Sequence, residues 1–102
     1  MLEIDKRPVA NLLIEWSAEL KIKGVTVCLA NGTATPTGIE VDRIYTNLSY
    51  RRKKYATTLL QGVCKEFKAL SCTPYYIDNT VPAKSFWHYF NRLPLPNTND
   101  SD

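Results

Sequence analysis

Four consecutive basic residues give this chain its clearest chemistry: Arg51, Arg52, Lys53 and Lys54. This basic tetrad follows an apolar, β-branched segment, 39–46, and precedes a run with helical spacing that starts at Tyr55. We therefore predict a strand, a basic loop and a helix in this order. The first N–H groups of a helix have no partner within the helix and carry about half a positive charge, so such a loop can hold a phosphate or pyrophosphate.

Composition places the positive charge at this one loop. The chain has 102 residues, 44% of them hydrophobic, and a net charge of +3, which indicates one compact domain. Without the tetrad, nine basic side chains stand against ten acidic ones. A local field favours an anionic ligand at one place over a broad nucleic-acid surface. Nucleic-acid binding through the tetrad and exposed tyrosines stays an alternative, as does a solvated turn without any ligand.

Cysteine usage and the N-terminal residues bear on the compartment. Cys28, Cys64 and Cys72 are odd in number and show no CxxC spacing, which is typical of a reduced intracellular setting. The first eight residues resemble no signal peptide, and no apolar run approaches the roughly 20 residues that span a bilayer. We expect a soluble cytoplasmic protein. We assign no metal, since His88 is the only histidine and has no Cys or acid at ligand spacing.

The first third of the chain predicts a helix and a short strand. One stripe of helical spacing is formed by Val9, Leu12, Leu13, Trp16 and Leu20. Gly24 is a plausible stop for this amphipathic helix. Residues 25–29 are short and β-branched, and Asn31-Gly32 suits a tight turn, so we predict a strand closed by that turn.

The middle of the chain predicts a second strand over residues 38–46. The apolar residues switch from odd to even positions: in a regular strand Ile39 and Val41 would point to one face of the sheet and Ile44 to the other. An extra residue near Asp42-Arg43 would produce this change, so we predict a β-bulge there.

The remaining elements follow from spacing and caps. A second helix buries one stripe, Ala56, Leu59, Leu60, Val63, Phe67 and Leu70. Residues 75–78 read as a third strand, parallel to 38–46 through a right-handed crossover. Asn79 or Thr80 can cap a last helix that has Pro82 in its first turn and buries Ala83, Phe86, Trp87 and Phe90. Residues 93–102 are predicted to be a disordered tail.

Two segments resemble the GNAT superfamily of acetyl-CoA-dependent N-acetyltransferases. Residues 40–46 and 50–60 look like its main acyl-CoA motif, where Arg51 and Ala56 match the first and last loop positions and Lys54 stands at a usual glycine. Downstream, the family's asparagine and its Ala-x-x-Phe-Tyr helix are matched by Asn79, Ala83, Phe86 and Trp87. The resemblance extends from residue 38 to residue 92.

This resemblance implies a fold and a co-substrate. The fold would be a small α/β protein with a minimal GNAT-like (acyl-CoA N-acyltransferase) architecture, a mixed β-sheet flanked by helices on both faces, in one domain over residues 1–92. Acetyl-CoA would be the co-substrate. The implied contacts to acetyl-CoA are Ile44, Tyr45, Thr46, Arg51, Arg52, Lys53, Lys54, Tyr55, Ala56, Thr57, Asn79 and Phe86.

The resemblance also implies a catalytic pair. Glu40 corresponds to the general base of histone-type relatives, although a carboxylate on a strand is more often a surface group. Many relatives protonate the CoA thiolate with a tyrosine at the position of Trp87, so the acid here would be Tyr89, another tyrosine (Tyr45 or Tyr76) or water. Tyr89 lies about 200° around the helix from Trp87 and could equally be a surface residue. Asn79 is more simply explained as an N-cap.

The expected activity is acetyl transfer from acetyl-CoA to a primary amine, on a small molecule or a protein lysine or N-terminus. The first alternative is a catalytically degenerate GNAT-like module that binds CoA or a protein partner. Relatives usually continue with further strands after the last helix, so part of the acceptor wall would be missing or would come from another subunit. We therefore expect a homodimer, and neither a membrane nor nucleic acid as partner.

Overall fold

The computed structural model describes residues 1–51, 54–77 and 79–96, and its chain opens with a β-hairpin. β1 (Leu2–Ala10) and β2 (Leu13–Ile22) pair antiparallel across a tight turn at Asn11-Leu12. The predicted first helix is therefore wrong. Trp16, Ala18 and Leu20 alternate with polar residues and point to one face of the sheet, where they are buried. Leu12, which the helix would have buried, is 68% exposed.

β3 (Val25–Ala34) is longer than the sequence predicts and runs straight through Asn31-Gly32. The predicted turn at this dipeptide is wrong. Gly32 is required for close approach of the backbone, since a Cβ added there would lie 1.9 Å from the carbonyl oxygen of Glu40. The chain reverses instead at residues 35–38, where the Thr35 N–H donates to the Gly38 carbonyl at 2.9 Å.

β4 (Ile39–Thr46) confirms the second predicted strand and its bulge. In the ladder with β3, Gly32 is opposite Val41 and Asn31 is opposite Arg43, so Asp42 is the extra residue. Because of this insertion, residues on both sides of the bulge bury their apolar side chains against the same core.

A 3₁₀ turn (Leu48–Tyr50) leads to α1 (Tyr55–Phe67), and a short β5 (Cys72–Pro74) follows, parallel to β4 as predicted. The helical stripe is confirmed within α1, whose most buried residues are Leu59, Leu60, Val63 and Cys64. Leu70 lies beyond the helix end and is 62% exposed, so its inclusion in the stripe is wrong. The strand predicted at 75–78 is also misplaced: Tyr75 to Ile77 are exposed coil, and Asp78 lies outside the described residues.

α2 (Val81–Phe90) confirms the last predicted helix. The Thr80 hydroxyl accepts a hydrogen bond from the Ala83 N–H at 3.3 Å, so Thr80 is the N-cap. Trp87 and Phe90 are buried. Leu93 and Leu95 pack half-buried against the same core, whereas residues 97–102 of the predicted tail lie outside the described part of the chain.

The five strands form one sheet in the order β1-β2-β3-β4-β5, antiparallel except for the last pair. The mixed sheet flanked by helices is thus confirmed. The fully buried sheet residues point almost entirely to one face, the core face, and the buried residues of α1 and α2 join the same cluster. The expectation of helices on both faces is not met in the described residues, because side chains on the opposite, open face are largely exposed. Neither α1 nor α2 is long and apolar enough to cross a bilayer, and no other described helix is.

Candidate functional site

A gap between β4 and β5 forms the centre of the candidate site. β5 pairs with β4 only from Ile39 to Val41, and the Tyr75 N–H donates to the Val41 carbonyl at 2.8 Å. β4 continues to Thr46, but no described strand pairs with residues 42–46 on that side. The backbone of β4 therefore presents unpaired hydrogen-bonding groups to the gap.

The bulge at Asp42 determines which backbone N–H and C=O groups of β4 face the gap. The Asn47 N–H donates to the Val27 carbonyl at 2.9 Å, and alternate residues of an antiparallel strand bond to the same neighbour. Arg43 and Tyr45 therefore bond toward β3, while Ile44 and Thr46 direct their N–H and C=O groups into the gap.

The N-terminus of α1 lies at the end of β4 and provides free backbone donors. Lys54 is the N-cap, in the left-handed conformation with φ +62°, and no side chain caps the helix. The Thr58 N–H donates to the Lys54 carbonyl at 3.0 Å, so the N–H groups of Tyr55, Ala56 and Thr57 precede the regular helical bonding. These donors and the helix dipole favour an anion.

The loop between β4 and α1 places a guanidinium at the gap. The Asn47 carboxamide accepts from the Ser49 N–H at 3.1 Å and fixes the 3₁₀ turn. The chain then brings back Arg51, whose Nε donates to the Thr46 carbonyl at 3.3 Å. Arg51 thus lies beside one of the carbonyl groups that face the gap. Arg52 and Lys53 lie outside the described residues.

α2 meets this loop through Lys54 and Tyr89. Nζ of Lys54 lies 5.4 Å from the centroid of the Tyr89 ring, within cation–π distance, and Tyr89 is 40% exposed. Trp87 is only 4% exposed and packs edge-on against Phe86 and Phe90, with ring centroids 5.1 Å and 5.7 Å away. Tyr89, rather than Trp87, is therefore the aromatic residue of α2 that lies beside the basic loop.

Glu40 and Tyr45 point to the open face of the sheet. Glu40 is opposite Thr33 of β3 and Thr73 of β5 and has an exposed side chain. Tyr45 is 55% exposed and is opposite Leu29. Side chains of Ile44 and Thr46 lie on the core face instead, so the candidate base is separated from them by the sheet.

Two further residues with an expected contact to acetyl-CoA lie just before and within α2. Asn79 is exposed and precedes the capping residue Thr80, so the interpretation of Asn79 as an N-cap is wrong. Phe86 is half-buried and stacks on Phe90 with 5.7 Å between ring centroids. Phe86 thus belongs to the aromatic packing of α2.

The three thiols are buried. Burial raises the pKa of Cys28, whose sulfur accepts a hydrogen bond from the Thr46 hydroxyl at 3.4 Å. The hydrogen bond with Cys64, together with burial, raises the pKa of Cys72. Cys28 and Cys72 are therefore poor nucleophiles.

Sequence reasoning missed a depression of about 390 Å³ that spans β1 to β4. Its lining is predominantly polar and charged: Asp5, Lys6, Arg7, Glu15, Trp16, Ser17, Asn31, Gly32 and Asp42. Alternation of charged with apolar residues in 2–8 and 14–21 was the available signal. That period of two places the charged side chains together on one face of a sheet.

Comparison with protein families agrees with this geometry. A model of the Acetyltransferase (GNAT) family matches residues 3–92. No curated protein matches the chain by sequence.

Solved structures of acetyltransferases share the fold. A ribosomal-protein-alanine N-acetyltransferase from Brucella melitensis biovar Abortus 2308 is 14% identical with a TM-score of 0.61; the match covers 74% of this chain and 61% of that one. An aminoglycoside N-acetyltransferase in complex with CoA is 13% identical, with a TM-score of 0.63 and coverage of 84% and 72%. A GNAT family acetyltransferase from Streptococcus pneumoniae TIGR4 is 16% identical with a TM-score of 0.58, and coverage is 100% and 95%. The chain thus spans less than two thirds of the Brucella enzyme and nearly all of the pneumococcal one.

Proposed function

This chain belongs to the GNAT acetyltransferase family, and we propose that it transfers an acetyl group from acetyl-CoA to a primary amine. One observation carries the proposal. The β4–β5 gap receives the backbone N–H and C=O of Ile44 and the N–H of Thr46, whose carbonyl accepts from Arg51. The chain continues from there to the uncapped N-terminus of α1. A long ligand with amides at one end and phosphates at the other fits this order of donors and acceptors.

The described residues fit acetyl-CoA along its length. Backbone groups of Ile44 and Thr46 would pair with the amides of the pantetheine arm, as an added strand would. The pyrophosphate would be held by the first N–H groups of α1, with Arg51 and Lys54 as nearby cations. Acetyl-CoA supplies an acetyl thioester that is activated for attack by an amine.

Proton transfer is assigned to Glu40 and Tyr89. An amine is mostly an ammonium ion at neutral pH and must lose a proton before it attacks. Glu40, on the open face, would accept that proton through water, and a well-placed base contributes on the order of 10² to 10⁴-fold. Because Tyr89 lies beside Lys54, at the phosphate end of the site, its proton would reach the departing thiolate through water.

Calorimetry with acetyl-CoA and with CoA tests the site. Binding of both is expected, and no heat at millimolar ligand would rule out the proposed site. If CoA binds, Glu40→Gln should reduce turnover by at least 10²-fold with the affinity for CoA unchanged. The matched control is Glu66→Gln, since Glu66 lies on the core side, paired with Lys6 at 2.6 Å. Equal turnover of both variants would remove Glu40 from the mechanism.

A module that binds CoA without turnover is the second candidate. The burial of Trp87 favours it, because an indole enclosed by Phe86 and Phe90 cannot replace a phenol as proton donor. Tyr89→Phe separates the two candidates: an enzyme that uses this phenol loses turnover and retains CoA binding. A protein that binds CoA and transfers no acetyl group to any of a panel of amines would be the module.

A further inference from the structure

The open face of the sheet is an uncovered surface. Its side chains on the three central strands are exposed or half-buried, and Ser17, Asn31, Arg43 and Tyr45 are among the exposed ones. β1 and β2 are joined by Asn11-Leu12 alone, so that connection contributes no helix over this face. Both described helices bury their side chains in the core on the other face.

Acidic groups are concentrated on this face. The register and the lining of the depression place six of the ten acidic side chains of the chain there: Glu3, Asp5, Glu15, Glu19, Glu40 and Asp42. The register places three basic side chains on the same face, Arg7, Lys21 and Arg43, and Lys6 also lines the depression while it pairs with Glu66 of α1. The open face is therefore net negative in a chain whose net charge is +3. The described cations of the basic loop lie elsewhere, Arg51 beside the Thr46 carbonyl and Lys54 at the N-cap of α1.

Part of this negative charge is not neutralised within the chain. Arg7 pairs with Glu15, and Lys21 pairs with Glu3 at 3.5 Å. Within residues 1–51, 54–77 and 79–96, Asp5 has no ion-pair partner, and neither do Asp42 and Glu40. Asp5 and Asp42 line the depression from β1 and from the bulge of β4. A ligand that lies between them meets two unpaired carboxylates on its way to Glu40.

We propose that the open face binds a lysine- and arginine-rich polypeptide segment, which lies across β1 to β4 and presents a lysine side chain to the β4–β5 gap. The role of the open face as the acceptor-binding site rests on the proposed function. The cationic amine needed for the reaction and the unpaired acidic groups are complementary in charge. The gap is flanked on the core face by the two helices, so the open face is the free approach for a large acceptor.

The shape of the surface favours a polypeptide over a small polyamine. Small-ligand sites enclose most of the ligand, whereas the depression is a broad, exposed concavity in the sheet. Strands about 4.8 Å apart make four strands roughly 14 Å wide, which an extended chain of four or five residues crosses. An extended segment can therefore contact several separated acidic groups at once.

Fluorescence anisotropy with a labelled ten-residue Lys/Arg-rich peptide, without acetyl-CoA, tests this surface. We expect binding that weakens as salt rises from 50 to 300 mM, and no binding of a peptide in which every Lys and Arg is replaced by Gln. Asp5→Asn with Asp42→Asn should weaken binding roughly fivefold to tenfold, since an exposed ion pair contributes up to about 1 kcal/mol. Glu66→Gln, on the core side, should leave it unchanged. If Asp42→Asn, which lies in the bulge, impairs folding, Asp5→Asn alone tests the contribution of the acidic groups.

Three results would overturn the proposal: equal affinity for both peptides, an unchanged affinity of Asp5→Asn, or tighter binding of spermidine than of the peptide. The CoA measurement is independent. Peptide binding without CoA binding would leave this surface in place and reject the transferase. CoA binding without peptide binding would reject this surface alone.

Discussion

Lys54 and Tyr89 join the two helices at the candidate site: Nζ of Lys54 lies 5.4 Å from the centre of the Tyr89 ring. Lys54 also has the left-handed backbone conformation, φ +62°, at the N-cap of α1. The family motif usually has glycine at this position. The structure retains the backbone conformation that favours glycine, and the lysine adds a cation between the β4–α1 loop and α2.

A matched pair of substitutions at Lys54 separates backbone strain from the ring contact. Lys54→Gly removes the strain and the contact, whereas Lys54→Ala removes only the contact. We expect the glycine variant to be more stable than the alanine variant by about 1 kcal/mol, the usual penalty for a Cβ in this conformation. Urea unfolding of both variants measures the difference. Equal free energies of unfolding would contradict a left-handed Lys54.

CoA affinity of the same pair tests the role of the charge. Both variants lose the ammonium group, so both should bind CoA more weakly than the parent chain and with a smaller dependence on salt. The glycine variant keeps the helix N-terminus in its present geometry. Calorimetry at two ionic strengths provides the measurement, and unchanged affinity would leave Lys54 with a role in packing alone.

Gly32→Ala should strongly destabilise the sheet beside Glu40. The added Cβ would lie 1.9 Å from the Glu40 carbonyl oxygen and 3.0 Å from the Trp16 ring, so β3 and β4 must separate. Overpacking of this kind costs about 3 kcal/mol or more. Asn31→Ala, at the exposed neighbouring position, is the control and should change the unfolding free energy by under about 0.5 kcal/mol. Similar values for the two variants would show that the strands do not approach so closely.

The first hairpin shows why one part of the fold escaped prediction. In residues 13–22, Trp16 and Leu20 satisfy a helical stripe and also an alternating pattern that includes Ala18. A short apolar pattern cannot distinguish the period of a helix from that of a strand when the same residues satisfy both. Pairing with β1 and with β3, which follows after Lys23-Gly24, decides for the strand, so the information lies in the partner strands and not in the segment itself.

The middle of the chain was predictable because its signals are local. The change of parity around Asp42 identified the bulge, and the spacing of Leu59, Leu60 and Val63 identified α1. The site itself depends on longer-range geometry. No sequence pattern could place Nζ of Lys54 over Tyr89, since that contact requires the crossover to bring α2 to the start of α1.

Thr80 and Asn79 give a test of how α2 begins. The Thr80 hydroxyl accepts from the Ala83 N–H, so Thr80→Ala should cost about 1 kcal/mol, typical of a lost N-cap. Asn79→Ala should cost under about 0.5 kcal/mol, because Asn79 is exposed and outside the cap. Thermal unfolding of both variants gives the comparison. If Asn79→Ala were more destabilising than Thr80→Ala, Asn79 and not Thr80 would be the N-cap.

Stability should fall at alkaline pH, and Cys28 should contribute to that fall. Burial raises the pKa of this thiol in the folded state, whereas in the unfolded chain it ionises near pH 8.5. Above that pH the folded state binds more protons than the unfolded state, so the free energy of unfolding decreases as pH rises, by up to about 1.4 kcal/mol per pH unit for one thiol. Urea midpoints between pH 7.5 and 9.5 measure this slope. Cys28→Ala should be less stable throughout, yet show a shallower slope, while Thr46→Val keeps the thiol and should keep the slope. If Cys28→Ala and the parent chain lose stability in parallel, the alkaline sensitivity belongs to other groups.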